Sequence, residues 1–378
     1  MAADDDFGAL LRATAPDRLV EAADEYLREW YGVARVDVLI ADYRISGLWP
    51  VLDGHEDPVG GVLRDRGASA RCFAGQQLII EDGRVFLPLT VWGERVGVLV
   101  LDGDDLDLDR LAETADELAI AIRAADRDTD RYRRARRRER LTMAAEMQWD
   151  LLPGRSLSHP RFELAGQLEP AYQVAGDHFD WAVTDEKLTI TVLNGYGGGL
   201  AASALAGLAV NAMRNARRSG GDIVEQAELA SDTVFAHHGG EKHVATLLLE
   251  ADLRTGRVSA VDAGSPRAFR IRGAKLSPIT LDQQLPLGMF GEARYSIQSF
   301  MLEPGDRLFI VSDGVHAAAP GDREPFGEAS MLAAVRATRL QPPAEAVGSV
   351  MRGLQDYHDD ADPDDDAVIV CLDWHGTD

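Results

Sequence analysis

Several apolar, strand-like runs of this chain end on an acidic residue or its amide, and this constrains the fold more than any other feature. The run LTITVL (188–193) ends in Asn194-Gly195, and RLFIVS (307–312) ends in Asp313-Gly314. The stretch Asp364-Asp365-Asp366 leads into AVIVCL (367–372), and Asp177 and Asp180 sit together in AGDHFD (175–180). A single Asp-Gly at a strand end is an ordinary turn signal. Recurring at the ends of separate strands, such carboxylates converge on a hard-oxygen site suited to Mg²⁺ or Mn²⁺. Asn194 interrupts the acidic series.

Three regions separate along the chain. In residues 1–123 a helical start (16–30) precedes the strand ARVDVLIADY (34–43). The alternating runs of 76–103 then carry turn signals at Asp82-Gly83 and Gly93-Glu94. Residues 106–123 read as a helix with Leu111, Leu118 and Ile122 on one side. Residues 124–153 are charged and helical in pattern, with Leu141, Ala144, Met147 and Leu151 in register; they predict one connector helix. Its RYRRARRRER run (131–140) follows Asp126, Asp128 and Asp130, and reads as a solvated or dimer-forming face rather than a nucleic-acid contact. Residues 154–378 alternate strands and helices. Residues 200–218 form a small-residue helix, 223–236 another, and 243–253, 257–264 and 267–272 are strands in hairpin order. That order predicts antiparallel sheets with helices packed outside.

Composition narrows the function. At 378 residues and 46% hydrophobic, the chain can fill two cores, and its formal charge of -24 argues against nucleic acid and anionic membranes as partners. No apolar run reaches membrane-spanning length, and the acidic start Met1-Ala2-Ala3-Asp4-Asp5-Asp6 is unlike a signal peptide, so a cytoplasmic protein is expected. Two cysteines, Cys72 and Cys371, make neither a disulfide framework nor a zinc site, and Cys371 reads as a small core residue. His237, His238 and His316 read as surface or loop residues, since an oxygen-rich site does not require imidazole.

Six motifs in order, MQWDLLP (147–153), LEPAYQVAGDHFDW (168–181), LNGYGGGLAAS (193–203), DAGSP (262–266), LPLGMF (285–290) with LEPGDRLFIVSDGV (302–315), and DDDAVIV (364–370), resemble the PPM family of metal-dependent serine/threonine protein phosphatases, in its bacterial SpoIIE/RsbU-like branch. The resemblance implies an α+β fold: an αββα sandwich of two antiparallel sheets flanked by helices, over residues 154–378. The first region, mainly through FLPLTVWGERVGVLVL (86–101), resembles a GAF domain, a small α/β sensory module, with little sequence between its strand pairs and hence a reduced or absent ligand pocket.

What the family's chemistry implies can be carried over by position. Asp177 would hold one metal directly or through water. Asp313 and Asp365 would ligate the first metal, with Asp366 as the alternative one residue on. The residue at Asn194 would bridge two metals, and Gly195 would offer its carbonyl. Two such ions lower the pKa of a bridging water and clamp phosphoryl oxygens, so no protein nucleophile is required. The sequence departs from the family at Asn194, where it has aspartate, and at Ser265, where histidine is common. An amide bridges two cations poorly, and a nearby carboxylate such as Asp180 would have to compensate. The loop Gly195-Tyr196-Gly197-Gly198-Gly199 is not a P-loop, because no Lys-Ser/Thr follows it.

Two readings follow. In the first, the chain is a Mn²⁺- or Mg²⁺-dependent phosphoprotein phosphatase with two ions, regulated by its first domain and acting on a phosphorylated regulatory protein such as an anti-anti-sigma factor. In the second, Asn194 leaves one metal or none, and the chain is a pseudophosphatase that binds its partner without turnover. A homodimer through the connector helix is expected in either case.

Overall fold

The computed structural model describes residues 6–52, 61–63, 66–103, 105–137, 141–171, 174–264, 266–316, 327–358 and 365–376. The chain divides into two compact units, Met1–Arg140 and Leu141–Asp378.

The first unit contains α1 (Phe7–Ala13), α2 (Leu19–Tyr31), β1 (Arg35–Ala41), β2 (Gly47–Pro50), β3 (Gly61–Val62), α3 (Ala68–Gly75), β4 (Ile79–Glu81), β5 (Arg84–Val91), β6 (Glu94–Asp102), α4 (Leu108–Ala125) and α5 (Arg131–Arg136). Its sheet runs β3-β2-β1-β6-β5-β4, with antiparallel neighbours throughout. The two predicted hairpin turns are present. The second is one residue earlier than expected: Val91 pairs with Glu94, so Trp92-Gly93 forms the loop, both at positive φ (49° and 83°). That geometry matches the twist of a two-residue hairpin. In α4 the Asp107 side chain caps the Arg110 N–H, and Leu111, Leu118 and Ile122 are fully buried as the periodicity predicts. They join α2 residues such as Leu27 on one face of the sheet, while Cys72 and Phe73 of α3 pack on the other.

The expected single connector helix over 124–153 is not formed. α4 stops at Ala125, α5 covers only Arg131–Arg136, and α6 (Met143–Leu151) begins afresh behind the Thr142 N-cap. The reason is local competition. Tyr132 is fully buried and donates to the Pro16 carbonyl at 3.0 Å, while Arg131 reaches the Asp17 carbonyl and the Glu21 carboxylate. These contacts hold the arginine run against the first unit. Arg137 is already extended (φ -85°, ψ 112°).

In the second unit, β7 (Ser156–His159), β8 (Phe162–Glu169), β9 (His178–Val183) and β10 (Lys187–Gly195) precede α7 (Gly199–Arg218) and α8 (Ile223–His238). Then come β11 (Val244–Asp252), β12 (Arg257–Ala263), β13 (Arg267–Arg272), β14 (Lys275–Pro278), β15 (Gln298–Met301), β16 (Arg307–Val311), α9 (Asp313–His316), α10 (Gly327–Ala337), α11 (Pro343–Tyr357) and β17 (Ala367–Trp374). The strands form two antiparallel sheets, β15-β12-β11-β10-β9 and β14-β13-β16-β17-β8-β7. Alanine-rich α7 and α8 cover the first sheet, with Leu205, Ala209, Ala227 and Val234 against Leu248 and Val261. α10 and α11 cover the second through Met331, Val335, Val347 and Val350 against Phe309 and Ile369. The sheets face each other closely: a Cβ on Gly166 of β8 would lie 2.8 Å from the Phe179 ring of β9. This is the αββα sandwich expected for the region. Among the described residues no helix is long and apolar enough to cross a membrane.

Candidate functional site

The acidic strand ends converge at one end of the sandwich. Asn194 is the penultimate residue of β10, Asp313 follows β16 and opens α9, and Asp365 and Asp366 precede β17. Asp177 immediately precedes β9. The approach is tight because a glycine permits it. A Cβ on Gly314 would sit 1.8 Å from the Asp366 carbonyl oxygen. Gly314→Ala should therefore force the turn after β16 away from β17. We expect a loss of about 1–3 kcal/mol, the usual cost of overpacking, seen as a lower urea midpoint at unchanged m-value. An unchanged midpoint would mean that the two segments can separate freely.

Asp366 is the anchor of this arrangement. It is fully buried and accepts four hydrogen bonds. The donors are the N–H groups of Ala171 (2.8 Å), Gly176 (2.8 Å) and Asp177 (3.2 Å), and the Gln148 amide (2.7 Å). Gln148 also donates to the Asp177 carbonyl at 3.0 Å. Both carboxylate oxygens of Asp366 are thereby engaged with the protein. Half-buried Asp365, by contrast, accepts the Asp366 N–H at 2.9 Å and lies nearer solvent. Of the two adjacent acids, Asp366 is the one committed to holding the loop, and Asp365 is the more exposed.

Asp177 is fully buried, and neither of its carboxylate oxygens meets a donor in good hydrogen-bond geometry. Burial pushes its carboxyl well above the usual range, and the charges of Asp366, Asp365 and Asp313 add to that; the nearby Ser312 hydroxyl opposes it. A buried carboxylate without a full partner, facing three others, is the environment that a bound cation relieves. In this respect the residues fit a divalent ion. Asn194 limits the fit: its amide N–H donates to Asp313, occupying one oxygen of that carboxylate. Among the described residues no three His, Cys, Asp or Glu side chains stand together as a ready-made metal cage.

Gly195 donates to the Gly176 carbonyl at 3.2 Å and so ties the Asp177 turn to the end of β10. Asp180 does not replace the carboxylate missing at 194. It is buried in an ion-pair network with Arg214 (2.7 Å) and Arg217 (3.2 Å), which fastens β9 to α7. His178, also buried, is kept neutral: burial lowers its pKa to about 4. His237 is exposed and meets the Thr233 carbonyl and the His238 ring of its own helix, and Cys371 is buried in β17. Asp364 and Ser265 lie outside the described residues, as does the side chain of His316. Gln148 and Ser312 went unassigned in the sequence reading. The helical register put Met147 inward, yet Met147 is 39% exposed while Gln148 is 2% exposed. A polar residue in the MQWDLLP segment was the available signal.

A family model described as Stage II sporulation protein E (SpoIIE) matches residues 184–375. The protein IcfG of Synechocystis is 21% identical over 260 residues, covering 61% of this chain and 41% of its own length, so the chain spans about two fifths of that curated relative. Among solved structures, the RsbU and RsbW domains of Rv1364c from Mycobacterium tuberculosis align with a TM-score of 0.51 at 18% identity, over 58% of this chain and 63% of that one. The PP2C phosphatase domain of Bacillus subtilis SpoIIE, with a fragment of its regulatory domain, aligns at 0.50 and 18% identity, over 58% and 66%. At these identities the structural likeness concerns the fold.

Proposed function

Since the chain belongs to the SpoIIE family, we propose that it is a divalent-metal-dependent phosphatase of phosphoserine or phosphothreonine in a regulatory protein, with Mn²⁺ or Mg²⁺ held by Asp177, Asp313 and Asp365. The observation that carries this reading is Asp177, a buried carboxylate with no full hydrogen-bond partner beside three other carboxylates. When bound, the metal would activate water and neutralise phosphoryl charge. The chain's own part is to hold the acids together through Asp366 and Gln148 and to keep the Asp177 side chain away from bulk solvent. The similar M. tuberculosis structure holds the RsbU and RsbW domains of one protein, Rv1364c. That likeness supports, for this chain, a cytoplasmic partner-switching regulator such as an anti-anti-sigma factor as substrate; residues 1–123, within the first unit, are proposed as a GAF-like sensory domain.

The second reading, a pseudophosphatase, is favoured by Asn194, which supplies no carboxylate and whose amide hydrogen bond engages that of Asp313. Calorimetric titration of Mn²⁺ and Mg²⁺ into the full chain, with p-nitrophenyl phosphate hydrolysis followed in parallel, separates the two. The phosphatase reading expects bound metal and turnover, both lost in Asp313→Ala. Turnover unchanged in that variant would sink the assignment. Metal bound weakly or not at all, without turnover, selects the binding module.

Homodimerisation is likewise proposed, without the continuous connector helix on which it was expected. Light scattering of the full chain should give twice 41.1 kDa; a monomeric mass across the accessible concentration range rejects it.

A further inference from the structure

A cavity of about 470 Å³ opens beside the acid cluster, and Asp313 forms part of its wall. The remaining lining mixes apolar Phe269 and Ile279 with Asp262, Arg267 and Gln283. Asp262 lies near the end of β12, on the same sheet face as Asn194. It pairs with Leu247, which pairs with Val192, two residues before Asn194. It stands on β12, a different element from those that carry the acid cluster, and shares the cavity with Asp313.

The Asp262 carboxylate is half-buried and receives one hydrogen bond, from the Gly264 N–H of its own turn at 3.1 Å. Burial raises its carboxyl above the usual range, and only that N–H opposes the shift. Among the described residues no Lys, Arg or His forms an ion pair with it, although Arg267 lines the same cavity. A half-buried carboxylate on a cavity wall, with no ion-pair partner among the described residues, is complementary to a cation supplied from outside. The volume falls in the range of small-molecule and side-chain pockets, roughly 300–1,000 Å³. The apolar lining suits the methylene stem of a long basic side chain. The surroundings strengthen the argument, because Asp177, Asp313, Asp365 and Asp366 already make this end of the sandwich acidic. A phosphorylated segment adds further negative charge, and a positive residue within the same segment offsets it.

We propose that this cavity is the subsite for a residue flanking the phosphorylated serine or threonine, and that Asp262 selects lysine or arginine there. The assignment rests on the reading of the neighbouring acids as a phosphoprotein site. Asp262 acts on specificity, by pairing with the substrate, and has no part in the chemical step.

The test uses two phosphoserine peptides, identical except for arginine or glutamate at the two positions on each side of the phosphoserine. Their binding to the full chain with Mn²⁺ is measured by fluorescence polarisation, and phosphate release is followed separately. The parent should prefer the arginine peptide, and Asp262→Asn should reduce the arginine-to-glutamate affinity ratio about tenfold, the loss expected for one partly desolvated charge pair. Asp262→Glu, which keeps the charge, should retain most of the preference. Comparing the ratio between variants removes the general attraction of a basic peptide to a chain of charge -24. An equal ratio in parent and Asp262→Asn overturns the subsite, as does failure of the arginine peptide to bind. Preference with binding but no phosphate release keeps the subsite and rejects the phosphatase reading. Release without preference does the reverse.

Discussion

Asp366→Ala should lower the melting temperature of the second unit by roughly 6–12 °C, whereas Asp365→Ala, one residue earlier, should leave it nearly unchanged. The difference follows from what each carboxylate touches. Asp366 accepts from three backbone N–H groups and the Gln148 amide, all in the interior. Removing it leaves these donors without their acceptor, at about 1–3 kcal/mol for each that no water reaches. An opposing effect exists, because Asp366 also repels Asp177, and its loss relieves that repulsion. Burial is the larger cause of the Asp177 shift, so the relief is the smaller effect, and a net loss of about 3 kcal/mol is expected. For a unit of this size that corresponds to the stated drop. The same comparison separates the two roles in metal binding. Asp365→Ala should abolish Mn²⁺ binding in a protein that remains folded. Asp366→Ala should weaken binding only as far as the loop carrying Asp177 loosens. Equal melting temperatures for the two variants would show that Asp366 anchors nothing.

The contrast between these adjacent acids marks how far the sequence was legible. The apolar runs at 188–193, 307–312 and 367–372 are the interior strands β10, β16 and β17, and the residues that end β10 and β16 meet where Asn194 donates to Asp313. Short-range chemistry announced such elements: unbroken apolar runs for the strands and Asp82-Gly83 in a hairpin turn. Side-chain direction was less legible. Adjacent residues leaving a strand point to opposite sides, so a one-residue choice between Asp365 and Asp366 decides between ligand and anchor, and the partners that settle it lie up to 218 positions away. The connector failed for a related reason. Helical periodicity runs through 124–153, but the tertiary contacts of Arg131 and Tyr132 with 16–21 override it. Asp180 showed the opposite limit, a carboxylate in a promising motif already paired with two arginines of α7.

Asn194→Asp should destabilise the protein without metal and stabilise it with metal, so that its effect relative to the parent changes sign when the ion binds. In the parent, the Asn194 amide donates to Asp313, a hydrogen bond to a charged acceptor at a half-buried position. Aspartate cannot donate when ionised, and places a second negative charge against Asp313. Without metal the variant should therefore lose about 1–2 kcal/mol relative to the parent. With Mn²⁺ the balance reverses, because a carboxylate contributes charge to the cation where the amide contributes only a dipole, and affinity in oxygen-ligand sites rises with ligand charge. A 100-fold gain in affinity would add about 2.7 kcal/mol of stabilisation at saturating ion, enough to outweigh the loss. Melting curves with chelator and with excess Mn²⁺ would thus cross: the variant melts below the parent in the first condition and at or above it in the second. Phosphatase assays on the same samples then choose between the two functional readings. A parent without turnover that gains it on Asn194→Asp is a binding module one residue from catalysis. A parent that already turns over and gains nothing uses the amide as it stands, with the Asn194–Asp313 hydrogen bond yielding when metal binds. Curves that fail to cross would place position 194 outside the metal's reach and return the site to Asp177, Asp313 and Asp365 alone.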